Sequence, residues 1–190
     1  MRDRDRRAEF EEVLDHLIQG TRIATLGTGG LCLPTCVLLE RVLAATHPAY
    51  RFAVRLGALH VRSRDSAIDS ILFDPRTPDG AEPAPGPLPP NAGFHVWLED
   101  SEGELLDPSI LLTLHGHGYH VDPDEYLLGG GRSFESEGVG FVYEELRELE
   151  LIGVEETEGY LARAISFVLT GQGNPSRLGP NVLDLAWRSR

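Results

Sequence analysis

The segment Gly93-Phe-His95-Val-Trp97-Leu-Glu99-Asp-Ser-Glu-Gly103-Glu-Leu-Leu-Asp107-Pro108 alternates Phe94, Val96 and Leu98 with His95, Trp97 and Glu99, then turns at 100–103 and continues through Glu104 to Asp107. Period-two alternation broken by a short Asp/Gly turn is the pattern of an antiparallel hairpin. It predicts His95 and Trp97 on one strand face and Asp107 at the end of the partner strand.

Upstream, Tyr50 to Leu56 alternates Phe52, Val54 and Leu56 with arginines, and Ala58 to Val61 extends the pattern beyond Gly57. Ahead of these strands lie two helical patterns. From Arg6 to Ile18 the residues Phe10, Val13, Leu14, Leu17 and Ile18 recur at three- and four-residue steps, and Gly20 is expected to close that helix. Thr21 to Leu31, with Gly27, Gly29 and Gly30, reads as a loop. A second helix is expected from near Leu33 to before Pro48. Pro34 suits a first turn, where its missing N–H has no helical partner, and Val37, Leu38, Val42 and Leu43 form the buried stripe. This puts Cys32 at a helix start.

Seven of the 13 prolines fall between Pro75 and Pro90, so 75–90 is expected to be an irregular, exposed proline-rich loop without ladder or helix. Beyond Pro108, Ile110 to Leu114 fits a short helix or a strand, Gly129 to Gly131 marks a loop, and Val139 to Tyr143 reads as a strand. Glu155 to Thr170 is helical, with Leu161, Ala164, Ile165, Val168 and Leu169 inward, and the last residues are expected to trail over the surface. Together these elements predict an α+β fold in a single domain spanning 1–190.

Composition narrows the function. The 190 residues carry 17 basic against 30 acidic side chains, a net charge of -13, which disfavours nucleic acid as a partner. All 17 basic residues are arginines, and without a lysine there is no Schiff-base, pyridoxal-lysine or P-loop lysine chemistry. No stretch approaches the ~18 to 20 apolar residues of a membrane span, and the charged N-terminus lacks the apolar region of a signal peptide. A cytoplasmic protein without a membrane partner is expected. The only cysteines, Cys32 and Cys36, stand four apart, a poor basis for a disulfide framework.

Cys32, His95 and Asp107 have the chemistry of a thiol-centred triad. A cysteine thiol near pKa ~8.5 falls to roughly 3.5 to 7.5 at a helix N-terminus beside an imidazolium. A histidine can hold the thiolate and later protonate a leaving amine, while a carboxylate fixes its tautomer. No cofactor is needed.

Cys32-Leu-Pro-Thr-Cys-Val-Leu-Leu-Glu, Gly93-Phe-His95-Val-Trp97-Leu-Glu and Glu104-Leu-Leu-Asp107-Pro resemble the core of the transglutaminase-like branch of papain-fold enzymes, over about residues 29–109. The Cys-Leu-Pro helix start is similar to that of the bacterial leader-peptide peptidases of that group. Gly29-Gly-Leu-Cys32 also resembles the Gly-Gly-x-Cys of arylamine N-acetyltransferases. The resemblance implies a papain-like core, a central N-terminal helix packed on an antiparallel sheet, and makes Cys32 the nucleophile, His95 its base and acid, and Asp107 the orienting residue. It implies a cysteine hydrolase or acyltransferase acting on a peptide, a protein or a small amide or acyl substrate, by peptidase, amidase, deamidase or acyl-transfer chemistry. This chain departs from the papain pattern in lacking a motif glutamine shortly before Cys32, so oxyanion donors are expected from the backbone: the Cys32 N–H and one from Thr28 to Leu31. Candidate substrate contacts are therefore Gly30 and Leu31, with Trp97 and Cys36.

Each residue has a plainer reading. A free cysteine is often a core residue, the favoured reading for Cys36; Trp97 is either a platform beside the site or core; His95 alone fits an exposed strand position; Asp107 before proline is an ordinary turn opener. Two further functional readings stand beside the enzyme: a noncatalytic papain-like domain that binds a peptide or protein through the proline-rich segment and an acidic face, and a metal-dependent hydrolase using His115, His117 and His120. The run Glu144 to Glu156 reads as a solvated acidic face. Substrate and oligomeric state are left open.

Overall fold

Apolar steps of three and four bury Phe10, Leu14, Leu17 and Ile18 on helix α1 (Asp3–Thr25). The computed structural model describes residues 3–25, 32–64, 70–88, 92–136, 138–152, 158–172 and 184–188. Gly20 does not end α1. A Cβ at that position would stand 3.1 Å from Val168 Cγ1, so the glycine admits another helix at close range. The expected loop from Thr21 is helical as far as Thr25, where the Thr21 and Thr25 hydroxyls return to the carbonyls of Ile18 and Thr21. The rest of that loop, residues 26–31, lies outside the described residues.

Helix α2 (Cys32–Thr46) begins at the cysteine, with Pro34 in its first turn. Leu33 through Leu39, Val42 and Leu43 are buried on nearly every side. The helix packs on strands β1 (Phe52–Ser63) and β4 (His95–Asp100), with α1 and α4 (Glu158–Thr170) against its other faces. Leu161, Ala164 and Val168 of α4 face inward as expected, whereas Leu169 is exposed.

The predicted hairpin is β4 joined to β5 (Glu104–Asp107), with Gly103 at φ 83° and Asp100 Oδ1 accepting the Glu102 and Glu104 amides across the turn. The remaining strands are β2 (Ile71–Phe73), β3 (Gly86–Pro87), β6 (Leu127–Gly130), β7 (Ser133–Ser136), β8 (Val139–Glu145), β9 (Leu149–Ile152) and β10 (Asp184–Trp187); α3 is Ile110–Gly116. The main sheet is antiparallel in the order β6-β5-β4-β1-β8-β7, with β2 beside β1.

Its two ends, β6 and β7, are joined by Gly131 and Arg132 alone, and so short a link spans at most about 11 Å between flanking Cα atoms. The ends must lie near each other, so the sheet curls into a nearly closed barrel. Its interior holds Leu59, Val61, Trp97, Leu105, Phe141 and Tyr143, with Ile110, Leu111 and Leu114 of α3. Alternate residues Val96, Leu98 and Leu106 pack outward into the helical layer.

Several local expectations give way to pairing that only the closed sheet supplies. Gly129 and Gly130 belong to β6, paired to Leu105 and Glu104. In the proline-rich 75–90 segment, Gly86 and Pro87 pair with Trp187 and Ala186; a two-residue edge strand tolerates proline's missing donor. Of the C-terminal segment expected to trail over the surface, residues 184–188 are described and do not do so: β10 pairs with β9, and Trp187 is only 2% exposed; 173–183 lie outside the described residues. The acidic run is likewise partly built in, since β9 arises within it and Glu144 and Glu145 pair with Arg76 and Arg132. Among the described residues no helix is long and apolar enough to cross a membrane.

Candidate active site

The first residue of α2 and the first residue of β4 meet at the rim of the barrel. The Cys32 side chain lies close enough to the His95 imidazole to favour its charged form, and His95 Nε2 lies 2.5 Å from Asp107 Oδ2. With Nε2 engaged by the carboxylate, Nδ1 is the ring nitrogen left for sulfur. Cys32 is partly exposed, while His95 and Asp107 are buried.

Sheet register explains the convergence. Leu98 pairs with Leu106 and Glu99 with Leu105, so, continued, Asp107 stands opposite Trp97 and diagonal to His95 on the same interior face. Across the sheet, His95 pairs with Gly57 of β1, where a Cβ would stand 1.9 Å from the Glu144 carbonyl oxygen and 2.9 Å from Trp97 Cη2. Only glycine lets three strands close up beside the histidine.

Asp107 is saturated with donors. Oδ1 accepts the backbone N–H of Ser109 at 3.1 Å, the Ser109 hydroxyl at 3.2 Å and the Ile110 N–H at 3.0 Å. Oδ2 receives the Tyr143 hydroxyl at 2.9 Å besides the imidazole. One carboxylate thus satisfies the start of α3 and fixes the histidine. Burial works against its charge, yet His95 and these donors hold its pKa below the ordinary carboxylate value. For His95 burial likewise opposes the charged form, but the Asp107 charge and hydrogen bond, helped by Cys32, carry its pKa from 6.5 up to about 10. The ring is an imidazolium at neutral pH.

The thiol meets three favourable features: helix N–H groups without intrahelical partners, a first turn without acidic residues, and the imidazolium. Such an arrangement suits attack by sulfur on an electrophilic carbon, with a proton available at Nδ1.

The other candidates fare differently. Cys36 is fully buried one turn below Cys32, its thiol directed at the Val96 carbonyl 3.4 Å away, and burial raises its pKa well above the ordinary thiol value. Trp97 is also fully buried, in edge contact with Tyr143 at 5.1 Å, with its indole N–H toward Glu99. Neither exposes surface to a substrate, so the expectation of substrate contacts at these two gives way to core packing. Gly30 and Leu31 lie outside the described residues. His115, His117 and His120 are exposed around the end of α3, and among the described residues no three His, Cys, Asp or Glu side chains are grouped to hold a metal.

Sequence reading missed Tyr143, Ser109 and Arg22. The alternation marks Tyr143 only as a strand position, yet a phenol buried within an apolar alternation must find a partner for its hydroxyl, and that signal points to it. Arg22, nearly buried near the end of α1, donates to the carbonyls of Pro108, Pro123, Asp124 and Glu125. Nothing in its local sequence marks it. Outside this site, a cavity of about 560 Å³ runs along α1 between Glu11, Asp15, Gln19 and residues 124–126, and it is lined by none of Cys32, His95 or Asp107.

No family model and no curated protein matches the chain. A solved crystal structure, whose title describes it only as coming from genomics work, is similar over 87% of this chain and 80% of its own, at 12% identity and a TM-score of 0.55. That likeness concerns the fold alone.

Proposed function

We propose that the protein is a cysteine-dependent acyl-transfer enzyme of papain-like, transglutaminase-like architecture, with Cys32 as nucleophile, His95 as base and acid, and Asp107 as the orienting carboxylate. The observation that carries the reading is the row Cys32–His95–Asp107, with Nε2 on the carboxylate and Nδ1 left for sulfur. The architecture supports it: a central helix starting at the thiol packs on β4, which bears His95 and pairs antiparallel with β5, which bears Asp107.

In the proposed cycle, Cys32 sulfur attacks the carbonyl carbon of an amide or acyl group, and the carbonyl π electrons move to oxygen. The Cys32 backbone N–H, in the first turn of α2, is available to that oxyanion. As the tetrahedral species collapses, the C–N bond breaks and the His95 Nδ1 proton passes to the leaving amine. A thioester remains. Water or an amine then attacks it, giving its proton to His95 and releasing the thiolate. Asp107 holds the ring throughout. Peptides, proteins and small amides or acyl compounds all present such a carbon, and peptidase or amidase chemistry is the first choice.

Labelling tests the pair. Native protein treated with iodoacetamide at pH 6 is expected to lose Cys32, identified by peptide mass, at least about tenfold faster than free cysteine if sulfur and imidazole act as a pair. His95→Gln, which retains a hydrogen-bond donor for Asp107, is expected to remove that advantage. Labelling of the native protein no faster than free cysteine overturns the proposal.

A further inference from the structure

We infer that Tyr143 is a positioning residue of this site: its hydroxyl shares Asp107 Oδ2 with the imidazole and thereby fixes the ring plane of His95 and tempers its hold on the proton. The inference deepens the acyl-transfer reading and rests on it.

Two donors converge on one oxygen. His95 Nε2 approaches Oδ2 at 2.5 Å and the Tyr143 hydroxyl at 2.9 Å, while Oδ1 is fully occupied by Ser109 and Ile110. Each donor draws on the same lone-pair density, so the phenol weakens the attraction the carboxylate exerts on the imidazolium. General acid catalysis needs that balance, because an imidazolium that holds its proton too tightly is a poor donor to a departing amine.

The phenol is held in place. Tyr143 stands opposite Leu59 in the β1–β8 ladder and is buried. Its ring stacks on Phe134 at 6.2 Å, meets Trp97 edge-on at 5.1 Å, and lies 6.0 Å from the His95 ring. Out of reach of bulk water, the hydroxyl keeps Asp107 as its partner. The groups that act on the His95–Asp107 pair from the surrounding elements are Cys32 and Cys36 of α2, Arg22 of α1 and Tyr143 of β8, while Phe73 of β2 adds an uncharged ring 5.6 Å from His95. Of these, Tyr143 is a neutral donor to the very oxygen that binds the imidazole, so it can modulate the pair without adding a charge.

Imidazole ¹⁵N NMR of His95 provides the test, because it reads proton affinity without depending on the thiol's reactivity. Tyr143→Phe keeps the ring and deletes the hydroxyl. Loss of one hydrogen bond to a charged group is expected to move the His95 midpoint up by roughly 0.5 to 1 pH unit, a three- to tenfold rise in proton affinity. Site-specific 3-fluorotyrosine at position 143, a stronger donor of the same shape, is expected to move it down, and this variant decides the matter should Tyr143→Phe fail to fold. Opposite shifts support the inference, since a purely space-filling tyrosine gives neither. Midpoints equal to that of the unaltered protein, with Cys32 still rapidly alkylated, overturn the inference alone. Opposite shifts with an inert Cys32 overturn the acyl-transfer reading and, with it, the catalytic meaning of the positioning.

Discussion

At the scale of single residues, the behaviour of the site turns on Asp107. Its five donors stabilise the ionised form, and its charge keeps His95 protonated up to about 10. The consequence for stability has a definite sign. The native ring binds a proton that an unfolded histidine, with a pKa of 6.5, releases, so this contribution is complete below pH 6.5 and lost as pH rises toward 10. Native Asp107 has the depressed pKa, so its contribution is present above the unfolded carboxylate value and is lost as pH falls through the folded one. Asp107→Asn removes the charge from both relations. Urea unfolding followed from pH 6 to 10 is expected to show a histidine-linked decline of up to about 1.4 kcal/mol per pH unit in the unaltered protein and a flatter curve in the variant. Equal slopes would contradict the ion pair. The variant is also expected to be less stable at pH 6, because an amide cannot accept at both of its ends.

At the scale of elements, Gly57 is the point where β4, β1 and β8 are forced together. It pairs with His95 on one side and Glu145 on the other, and a Cβ there meets the Glu144 carbonyl at 1.9 Å, backbone that can yield only by opening the β1–β8 ladder. Gly57→Ala is therefore expected to cost about 3 kcal/mol or more, measured as a fall in the denaturation midpoint, and to displace His95. Gly20 differs, since its neighbour is the end of a valine side chain. In sequence the two glycines look alike as interruptions of an apolar pattern; what separates them is the identity of a neighbour 87 residues away for Gly57 and 148 for Gly20. This is why α1 ran through its expected stop. Hairpin and α2 were legible because period-two and helical alternation, an Asp/Gly turn and a first-turn proline are local signals. Cys32, His95 and Asp107 were legible for the same reason, each lying at the boundary of such an element.

At the scale of the whole molecule, what escaped sequence reading is whatever depends on closure. β6 looked like a glycine loop until the far edge of the hairpin needed a partner, and β10 became a strand only because β9 and β3 flank it. Arg22 belongs to this class. Its guanidinium spans from α1 to the corner after Asp107 and to the chain at 123–125, satisfying four carbonyls that local secondary structure leaves unpaired. Burial lowers its pKa, with Asp124, Asp107 and Asp122 acting in the opposite direction, so the cation is held by its surroundings rather than by one carboxylate partner. Arg22→Met preserves most of the stem but removes all four bonds. Gln19 still donates to the Asp124 carbonyl, leaving those of Pro108, Pro123 and Glu125 to lose the arginine. At about 1 to 3 kcal/mol for each buried group left unsatisfied, with partial relief by water, the expected loss is about 3 kcal/mol in urea unfolding. Because the clamp grips the residue next to Asp107, slower Cys32 alkylation should accompany it in protein that remains folded; an unchanged midpoint together with unchanged alkylation would show that the Asp107 corner is held without α1.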